Sequence, residues 1–381
     1  MRKSLPELNV IIIMIDGGRY DSSIQSDFYK KLKEKSVFFS QPITYGPHTI
    51  AAMHATFSGC YGTRTGTDSY WSTYNFKKNK FKTITEYLHD QKYYTSCDVV
   101  SKIVIPKQGF DQFQIHDEQN DDLTTRHLDI IEKTSANNKK FFLYLQFSNI
   151  HTGISNEVLK VYNNYSKEYF ENKKFNRKRY DELFKKSESY LDKILGKIYS
   201  LELQKNSVIL IMSDHGISVG EKIGERAYGA FCYDYTIRTF AYFLMPNYNS
   251  LEISQQVRTV DFMPTILDLL NIELDKKYSE LDGESLLPLI NGENIPEKIA
   301  YSETGNPLEE KRPPKIPNTK SVRTSKWKLI VNEYNNSKEL YDLENDPSEN
   351  TNLIHTDIEI QDLLWNKFLD IQSKKNNSEE I

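Results

Sequence analysis

The sequence predicts an α/β fold in which helices sandwich a mostly parallel sheet, followed by a smaller C-terminal α+β subdomain. Two observations predict this fold. Continuous apolar runs rich in β-branched residues alternate with stretches of helical periodicity, which is typical of parallel strands covered on both faces. Polar residues that can bind a metal follow directly after the apolar runs, where open α/β sheets hold their ligands.

The strands and helices of the larger domain alternate along the chain. Strands are predicted at Val10–Ile15, Tyr93–Val100, Phe141–Phe147, Val208–Met212 and Phe240–Met245. Helices are predicted at Phe28–Lys35, Ile50–Phe57, Ile84–Gln91, Leu123–Lys133, Tyr180–Ser200 and Thr259–Leu270. Because these strands are apolar on both faces, helices must cover both sides of the sheet. We assign this α/β domain to residues 1–300.

A change in composition indicates a boundary near residue 300. The segment 306–318 contains four prolines (Pro307, Pro313, Pro314 and Pro317), which indicate a loop. Beyond this loop we predict one short strand around Trp327–Val331 that continues to Asn332, and a second around Glu339–Leu343. A terminal helix is predicted near Ile358–Ser373. Residues 301–381 are therefore assigned to the small subdomain.

Bulk composition limits the classes of function. The 49 basic and 53 acidic side chains nearly balance, with a net charge of −4, so nothing indicates a nucleic-acid partner. The first apolar run is too short for a signal peptide and no later run suits a membrane span. Three cysteines (Cys60, Cys97 and Cys232) without paired spacing favour a reducing compartment. We expect a cytoplasmic protein.

Two carboxylates and an imidazole follow two predicted strands. Asp16 comes directly after Val10–Ile15, and Asp214 and His215 come shortly after Val208–Met212. A carboxylate at the end of a buried strand is costly unless it is paired or bound to a metal. In isolation, each segment could instead be a turn cap or a helix start. Together they predict one divalent metal. A ligand set that mixes oxygen and nitrogen suits Mn²⁺ or Zn²⁺ better than Ca²⁺, and Mn²⁺ is the first choice, Zn²⁺ the second and Ca²⁺ the third.

A hydroxyl precedes the predicted helix Ile50–Phe57. Thr49 is the candidate nucleophile, because a metal can lower the pKa of a coordinated hydroxyl and the helix N-terminus favours an anionic substrate. The alternative is that Thr49 caps the helix, and the two roles are compatible. His48 is a candidate substrate contact. Four other histidines lie in polar or helical contexts and are predicted at the surface: His89, His116, His127 and His355.

Short motifs in a fixed order carry a family resemblance over nearly the whole chain. They include Asp16-Gly17-Gly18-Arg19-Tyr20-Asp21, Gly59 through Gly66, Gly109-Phe110-Asp111, Ser213-Asp214-His215-Gly216 and Leu281-Asp282-Gly283. The chain resembles the sulfatase family of the alkaline phosphatase superfamily. The resemblance implies an alkaline-phosphatase-like fold with a small C-terminal subdomain. It also implies that His151, after the strand Phe141–Phe147, contacts the substrate.

The departures from the family pattern bear on function. Sulfatases carry a Cys or Ser within a Cys/Ser-x-Pro-x-Arg motif that is oxidised to formylglycine, whereas this chain has Thr49 followed by Ile50-Ala51-Ala52-Met53. A threonine side chain cannot become an aldehyde hydrate. Lys102 fits one substrate lysine of the family, but Gly229 stands where a second is expected. Half of the expected sulfate pocket is therefore missing.

The residues that remain are similar to the threonine-nucleophile branch, which includes phosphoglycerol and phosphoethanolamine transferases and phospho- or phosphonate-ester hydrolases. It implies a hydrolase or transferase of phosphate or phosphonate esters that forms a phospho-threonine, with catalytic residues Thr49 and His151. Asp16, Thr49, Asp214 and His215 would surround the metal, and Lys102 and His48 would contact the substrate. That substrate is a small-molecule, glycan-derived or lipid-derived anionic ester.

Three alternatives remain open. A sulfate-ester hydrolase could work without formylglycine, and an inactive binding protein could keep the fold. A two-metal site, as in nucleotide pyrophosphatases, needs an additional Asp-x-x-x-His pair. Asp261 is followed four residues later by Thr265, which disfavours it.

Overall fold

The protein is described by a computed structural model covering residues 8–137, 139–159, 167–305 and 314–377. Strands β1 to β14 are Asn9–Ile15, Val37–Phe39, Pro42–Ile43, Tyr94–Val99, Gln112–Ile115, Phe141–Phe147, Ser207–Ser213, Ala241–Leu244, Leu251–Ile253, Val257–Arg258, Ala300–Thr304, Thr319–Arg323, Trp327–Asn332 and Ser337–Asp342. Helices α1 to α13 are Tyr20–Gln25, Asp27–Lys33, Thr49–Ser58, Gly62–Thr65, Ile84–Asp90, Leu123–Ser135, Asn149–Gly153, Lys167–Glu171, Lys173–Ser200, Asp234–Ile237, Phe262–Leu269, Leu287–Ile290 and Ile358–Asn377.

The central sheet has the predicted, mostly parallel arrangement. Within the described residues its strand order is β5-β4-β6-β1-β7-β8-β2-β9. Strand β1 lies between β6 and β7 and is parallel to both, whereas β8 is antiparallel to β7 and β2. The carboxyl ends of β4, β5, β6, β1 and β7 therefore share one edge of the sheet, where open α/β sheets bind their ligands.

Both faces of the sheet are covered, as expected for strands that are apolar throughout. All seven residues of β1 are buried. Alternate residues of a strand point to opposite faces, so β1 contributes to two hydrophobic clusters. Ile11, Ile13 and Ile15 pack on the side of α6 and α9, and Val10, Ile12 and Met14 pack on the side of α3, α5 and α11.

The C-terminal region forms the predicted α+β subdomain. Strands β11 to β14 make an antiparallel sheet, and α13 covers it through Leu364 and Phe368. Buried ion pairs join the two regions, because Asp234 of α10 accepts from Arg323 at 2.8 Å and from Lys328 at 2.6 Å. Thr304 also donates a hydrogen bond to the carbonyl of Gly229 at 2.5 Å.

The division at residue 300 stays a prediction. Residues 306–313 of the proline-containing segment lie outside the described residues, as does the N-terminal stretch 1–7. The predicted strand and helix positions otherwise agree closely with the structure. The largest difference is α9, which begins at Lys173 rather than Tyr180, because its first two turns are basic and solvated and lack an apolar periodicity. No helix in the described part of the chain is long and apolar enough to cross a bilayer.

Candidate active site

The sheet brings together the three residues predicted to bind a metal. Asp16 ends β1, and Asp214 and His215 follow β7, its parallel neighbour. The His215 Nε2 atom lies 3.7 Å from Asp16 Oδ1 and 3.6 Å from Asp214 Oδ2. All three side chains are buried, and one ligand atom from each lies within 4.8 Å of the others. This spacing is suited to a single ion.

The hydrogen bonding of the cluster fits a cation. The facing oxygens, Asp16 Oδ1 and Asp214 Oδ2, have no hydrogen-bond partner among the described residues. The His215 Nδ1–H donates to the Gly216 carbonyl at 2.8 Å, which leaves a lone pair on Nε2 directed at both carboxylates. Three acceptors that converge in a buried site are unfavourable without a positive charge between them. Burial, together with the Asp16 charge and against the opposing effect of His215, raises the pKa of Asp214 above its ordinary value.

A buried glutamine orients the first carboxylate. Gln146 donates from Nε2 to Asp16 Oδ2 at 2.7 Å and accepts from the Val100 amide at 3.0 Å. It stands beside Met14 in the register of β6 on β1. Gln146 was not among the predicted site residues, although an amide within the otherwise apolar run Phe141–Phe147 was a signal for it.

Thr49 faces this cluster. Its Oγ1 lies 3.5 Å from Asp16 Oδ2 and 3.4 Å from His215 Nε2. Thr49 is the first residue of α3, and the cap is His48, whose Nδ1 accepts from the Ala51 amide at 3.4 Å. The expectation that Thr49 also caps the helix is therefore wrong. A hydroxyl not used by the helix is available for chemistry.

The two predicted substrate contacts differ in position. His48 is buried, and burial together with the nearby His215 and His54 lowers its pKa to about 3, so it is neutral. Lys102 is exposed in the loop after β4, and no hydrogen bond or ion pair among the described residues joins it to the cluster. The structure thus brings Asp16, Thr49, Asp214 and His215 together but does not bring Lys102 to them.

His151 lies on α7, one short turn after β6. Its Nε2 hydrogen-bonds the Tyr228 hydroxyl at a short distance, and its Nδ1 lies 3.7 Å from Glu118. Burial lowers the pKa of His151, but Glu118 and the charges of Asp16 and Asp214 outweigh burial and raise it to about 9. His151 therefore carries a proton at neutral pH.

Tyr228 connects His151 to the metal-ligand cluster. Its ring centroid lies 4.8 Å from that of His215, and its hydroxyl contacts His151. Tyr228 and Glu118 were not predicted, because both lie in irregular segments where periodicity carries no information. The neighbouring Gly229 had been identified only as the site of a missing lysine.

A second buried cluster corrects another prediction. His116 and His127 were predicted at the surface, but both are buried and both donate to Asp98 Oδ2, at 2.9 and 3.0 Å. Arg126 donates to the other oxygen of Asp98 at 2.8 Å. The prediction from polarity was wrong because a buried polar side chain needs a hydrogen-bond partner, and the buried carboxylate of Asp98 provides one for both histidines. His89 and His355 are exposed, as predicted.

The environment of Asp261 disfavours a second metal. Asp261 is buried, and Arg258 donates to both of its oxygens, at 2.6 and 3.1 Å. Its carboxylate charge is therefore already compensated by a guanidinium, which agrees with the absence of an Asp-x-x-x-His pair.

The fold and the buried cluster define the class of α/β proteins that carry a candidate metal site at the carboxyl edge of the sheet. Comparison with known families identifies the family. Residues 8–272 match the family described as Sulfatase, and residues 228–374 match the family described as N-sulphoglucosamine sulphohydrolase, C-terminal. The chain belongs to the sulfatase family of the alkaline phosphatase superfamily.

Individual relatives are distant. A Delta 4,5-hexuronate-2-O-sulfatase of Bacteroides thetaiotaomicron is 29% identical over 43% of this chain, but the match spans only 34% of that relative. A structure solved with its substrate D-glucosamine-2-N,6-O-disulfate superimposes with a TM-score of 0.75 at 17% identity, covering 97% of this chain and 98% of the other. The phosphonate monoester hydrolase of Agrobacterium radiobacter superimposes with a TM-score of 0.74 at 13% identity, covering 97% and 96%.

The comparisons support the predicted family and fold more strongly than the predicted substrate. The predicted family and fold are confirmed. The two solved structures share the fold, at identities too low to assign a substrate. The curated relatives are mainly sulfatases, which favours the sulfate-ester alternative over the phosphorus ester.

Proposed function

We propose that this protein hydrolyses an anionic ester by nucleophilic attack from Thr49, with a phosphate or phosphonate ester as its substrate. The observation that carries the proposal is the position of the Thr49 hydroxyl, 3.4 Å from His215 Nε2 and 3.5 Å from Asp16 Oδ2. An unmodified hydroxyl at this position suits phosphoryl transfer, in which an alcohol is an ordinary nucleophile.

The reaction divides into two displacements. In the first, Thr49 Oγ1 forms a bond to phosphorus, its proton passes to Asp16 Oδ2, and the bond from phosphorus to the leaving oxygen breaks. His151 gives its proton to the leaving alkoxide. In the second, water attacks phosphorus and gives one proton to His151, the bond from phosphorus to Oγ1 breaks, and Asp16 Oδ2 returns its proton to Oγ1. An alcohol in place of water would make the protein a transferase.

Asp16, Asp214 and His215 would hold a divalent metal, whose charge would favour the deprotonated hydroxyl and offset charge that develops on the phosphoryl oxygens. Gln146 keeps the Asp16 carboxylate in one orientation through its 2.7 Å hydrogen bond. Mn²⁺ is our first choice of metal and Zn²⁺ the second, since a site that combines oxygen and nitrogen ligands suits both better than Ca²⁺.

A sulfate ester is the second candidate, and the family membership favours it. Relatives include enzymes named as sulfatases of hexuronate and choline. Against it stands Thr49, which cannot form the aldehyde hydrate that sulfatases use. The likeness to glycan-processing relatives supports a glycan-derived ester, with a small-molecule ester as the simpler case.

Hydrolysis of four nitrophenyl esters tests the substrate class. Purified protein is given the phosphate, phosphodiester, phosphonate and sulfate esters, each with Mn²⁺, Zn²⁺ or Ca²⁺. We expect metal-dependent turnover of a phosphorus ester. Turnover of the sulfate alone would overturn the phosphorus assignment and make a sulfate ester the substrate. Metal binding without turnover of any ester would favour a strict transferase or an inactive relative.

Removing the Tyr228 hydroxyl is expected to weaken turnover by roughly threefold to tenfold, the value of one hydrogen bond. Tyr228→Phe keeps the ring packed on His215 while releasing His151 Nε2. The measurement is kcat/KM with saturating metal. Tyr235→Phe is the control, because its ring also lies in this region but contacts Tyr233 rather than the histidines. Equal losses in both variants would exclude a specific role for Tyr228.

The rate is expected to fall as pH rises through the raised pKa of His151. Because the protonated imidazole donates to the leaving group, activity is present below this pKa and is lost above it. The pH profile of kcat/KM is measured for a poor leaving group such as phenol. His151→Gln should be slow at all pH values and should lack this basic limb. A limb that persists in His151→Gln would assign it to another group.

A further inference from the structure

The polar network around Asp98 is unexplained by the proposed chemistry. We define the Asp98 network as Asp98, His116, His127, Arg126, Ser148 and Tyr190. Apart from Arg126, every member is at least 98% buried. Buried polar groups cost free energy unless each is satisfied, and an apolar cluster of similar volume is often at least as stable. The network therefore calls for a reason beyond stability.

Every ring nitrogen in the network is engaged. Because an ionised carboxylate can only accept, His116 donates to Asp98 from Nδ1 and His127 donates from Nε2. Their far nitrogens then accept, from the Ser148 hydroxyl at 2.9 Å and from the Tyr190 hydroxyl at 2.7 Å. Hydrogen bonds from these histidines hold the pKa of Asp98 well below its usual range in spite of burial.

The Asp98 network differs from a metal site because the oxygens of Asp98 already accept hydrogen bonds. In the Asp16 cluster two oxygens have no donor, whereas Asp98 accepts from two histidines and from Arg126. A cation would have to displace these hydrogen bonds beside a guanidinium. The network is therefore a fixed scaffold of hydrogen bonds.

One arm of the network ends at the helix that carries His151. Ser148 is the residue before α7, where a serine usually caps the helix with its side chain. Here the side chain makes no capping bond and donates to His116 instead. The Ser148 carbonyl accepts from the Thr152 amide at 3.0 Å, so the first turn of α7 is fixed at Ser148.

A second connection starts two residues after His116. Glu118 lies 3.7 Å from His151 Nδ1 and accepts from the Thr152 hydroxyl at 2.8 Å. The His116 amide donates to the Val99 carbonyl at 3.0 Å, which fixes this segment against the end of β4. Both the backbone before His151 and the carboxylate beside it are thus tied to His116.

We propose that the chain Asp98–His116–Ser148 positions His151 for proton donation to the leaving group, with His116 and Ser148 as positioning residues. The proposal rests on the proposed function for the role of His151. The other arm runs from His127 to the Tyr190 hydroxyl on α9, and no hydrogen bond among the described residues joins that hydroxyl to α7 or to Glu118.

The two arms provide a matched pair of variants. Ser148→Ala and Tyr190→Phe each delete one buried hydroxyl that donates to the far nitrogen of a histidine bound to Asp98. The test compares kcat/KM for phenyl and 4-nitrophenyl esters of the accepted acid, because only the poorer leaving group needs a proton. We expect Ser148→Ala to lower the phenyl rate by roughly tenfold and the nitrophenyl rate much less. Tyr190→Phe should leave the ratio unchanged.

A second measurement is independent of turnover. In protein labelled with ¹³C-histidine, the His151 resonance is assigned by its loss in His151→Gln and titrated in each variant. We expect Ser148→Ala, but not Tyr190→Phe, to move the pKa of His151 towards its ordinary value. An unchanged leaving-group ratio and His151 titration in Ser148→Ala would overturn the proposal. If the wild type turns over no ester, the proposed function fails, and the titration alone then decides whether Ser148 positions His151.

Discussion

Replacing Thr49 with alanine is expected to lower kcat for the ester substrate by about 10³-fold or more while leaving the fold intact. The variant deletes the hydroxyl that lies 3.4 Å from His215 Nε2. It keeps the helix, because His48 rather than Thr49 caps α3 and alanine is a good helix former. Steady-state kinetics and the thermal midpoint of unfolding are measured together.

A covalent intermediate provides the direct check. Rapid quenching of the wild type with substrate should add the mass of one phosphoryl group to the peptide that contains Thr49, and accurate mass distinguishes it from a sulfuryl group. Thr49→Ser is the matched control, since it retains a hydroxyl and should recover most of the activity. Turnover of Thr49→Ala at the wild-type rate would show that water attacks the ester directly. Thr49→Cys then reports whether the pocket accepts a sulfate ester.

Changing Asp214 to asparagine is expected to abolish stabilisation by metal. A ligand present at 100 times its Kd stabilises the native state by about 2.7 kcal/mol. In the variant this gain should largely disappear, because the unpartnered Oδ2 is replaced by an amide nitrogen that cannot ligate. Without metal the variant should melt at a higher temperature than the wild type, because one of two facing carboxylates is gone. Metal content and thermal midpoints with Mn²⁺, Zn²⁺ and Ca²⁺ are measured.

Asp261→Asn is the matched control for this experiment. Asp261 is equally buried, but its charge is compensated by Arg258. Its replacement should lower the midpoint with and without metal and should leave metal content unchanged. Retention of a full equivalent of metal by Asp214→Asn would exclude Asp214 as a ligand.

The sequence predicted the parts of the fold that hydrophobic periodicity encodes. Strand β6 was located to the residue, because it is apolar on both faces and flanked by polar residues. The metal-ligand cluster followed from the same logic, since parallel strands end at one edge. Seven strands were missed: β2, β3, β5, β9, β10, β11 and β12. Each has two to five residues, which carry too little periodicity to be distinguished from loops.

Partners that meet only in three dimensions were not predictable. His116 and His127 are 11 positions apart in sequence, and both donate to the carboxylate of Asp98 on β4. This partner allows both histidines to be buried, although their polarity had indicated exposed positions. Tyr228 belongs to an irregular segment whose path depends on the C-terminal sheet. Local sequence fixes neither of these arrangements.

The buried contacts between the α/β domain and the C-terminal sheet determine whether the chain can be truncated between them. Asp234 is buried and satisfied by Arg323 and Lys328, so a chain cut near residue 300 would leave that carboxylate without compensation. A cut before Thr304 would also remove the Thr304 hydroxyl, which donates to the carbonyl of Gly229, the residue after Tyr228. The C-terminal sheet is therefore joined to the α/β domain by buried ion pairs and holds the backbone next to Tyr228. The two regions should unfold in one cooperative transition.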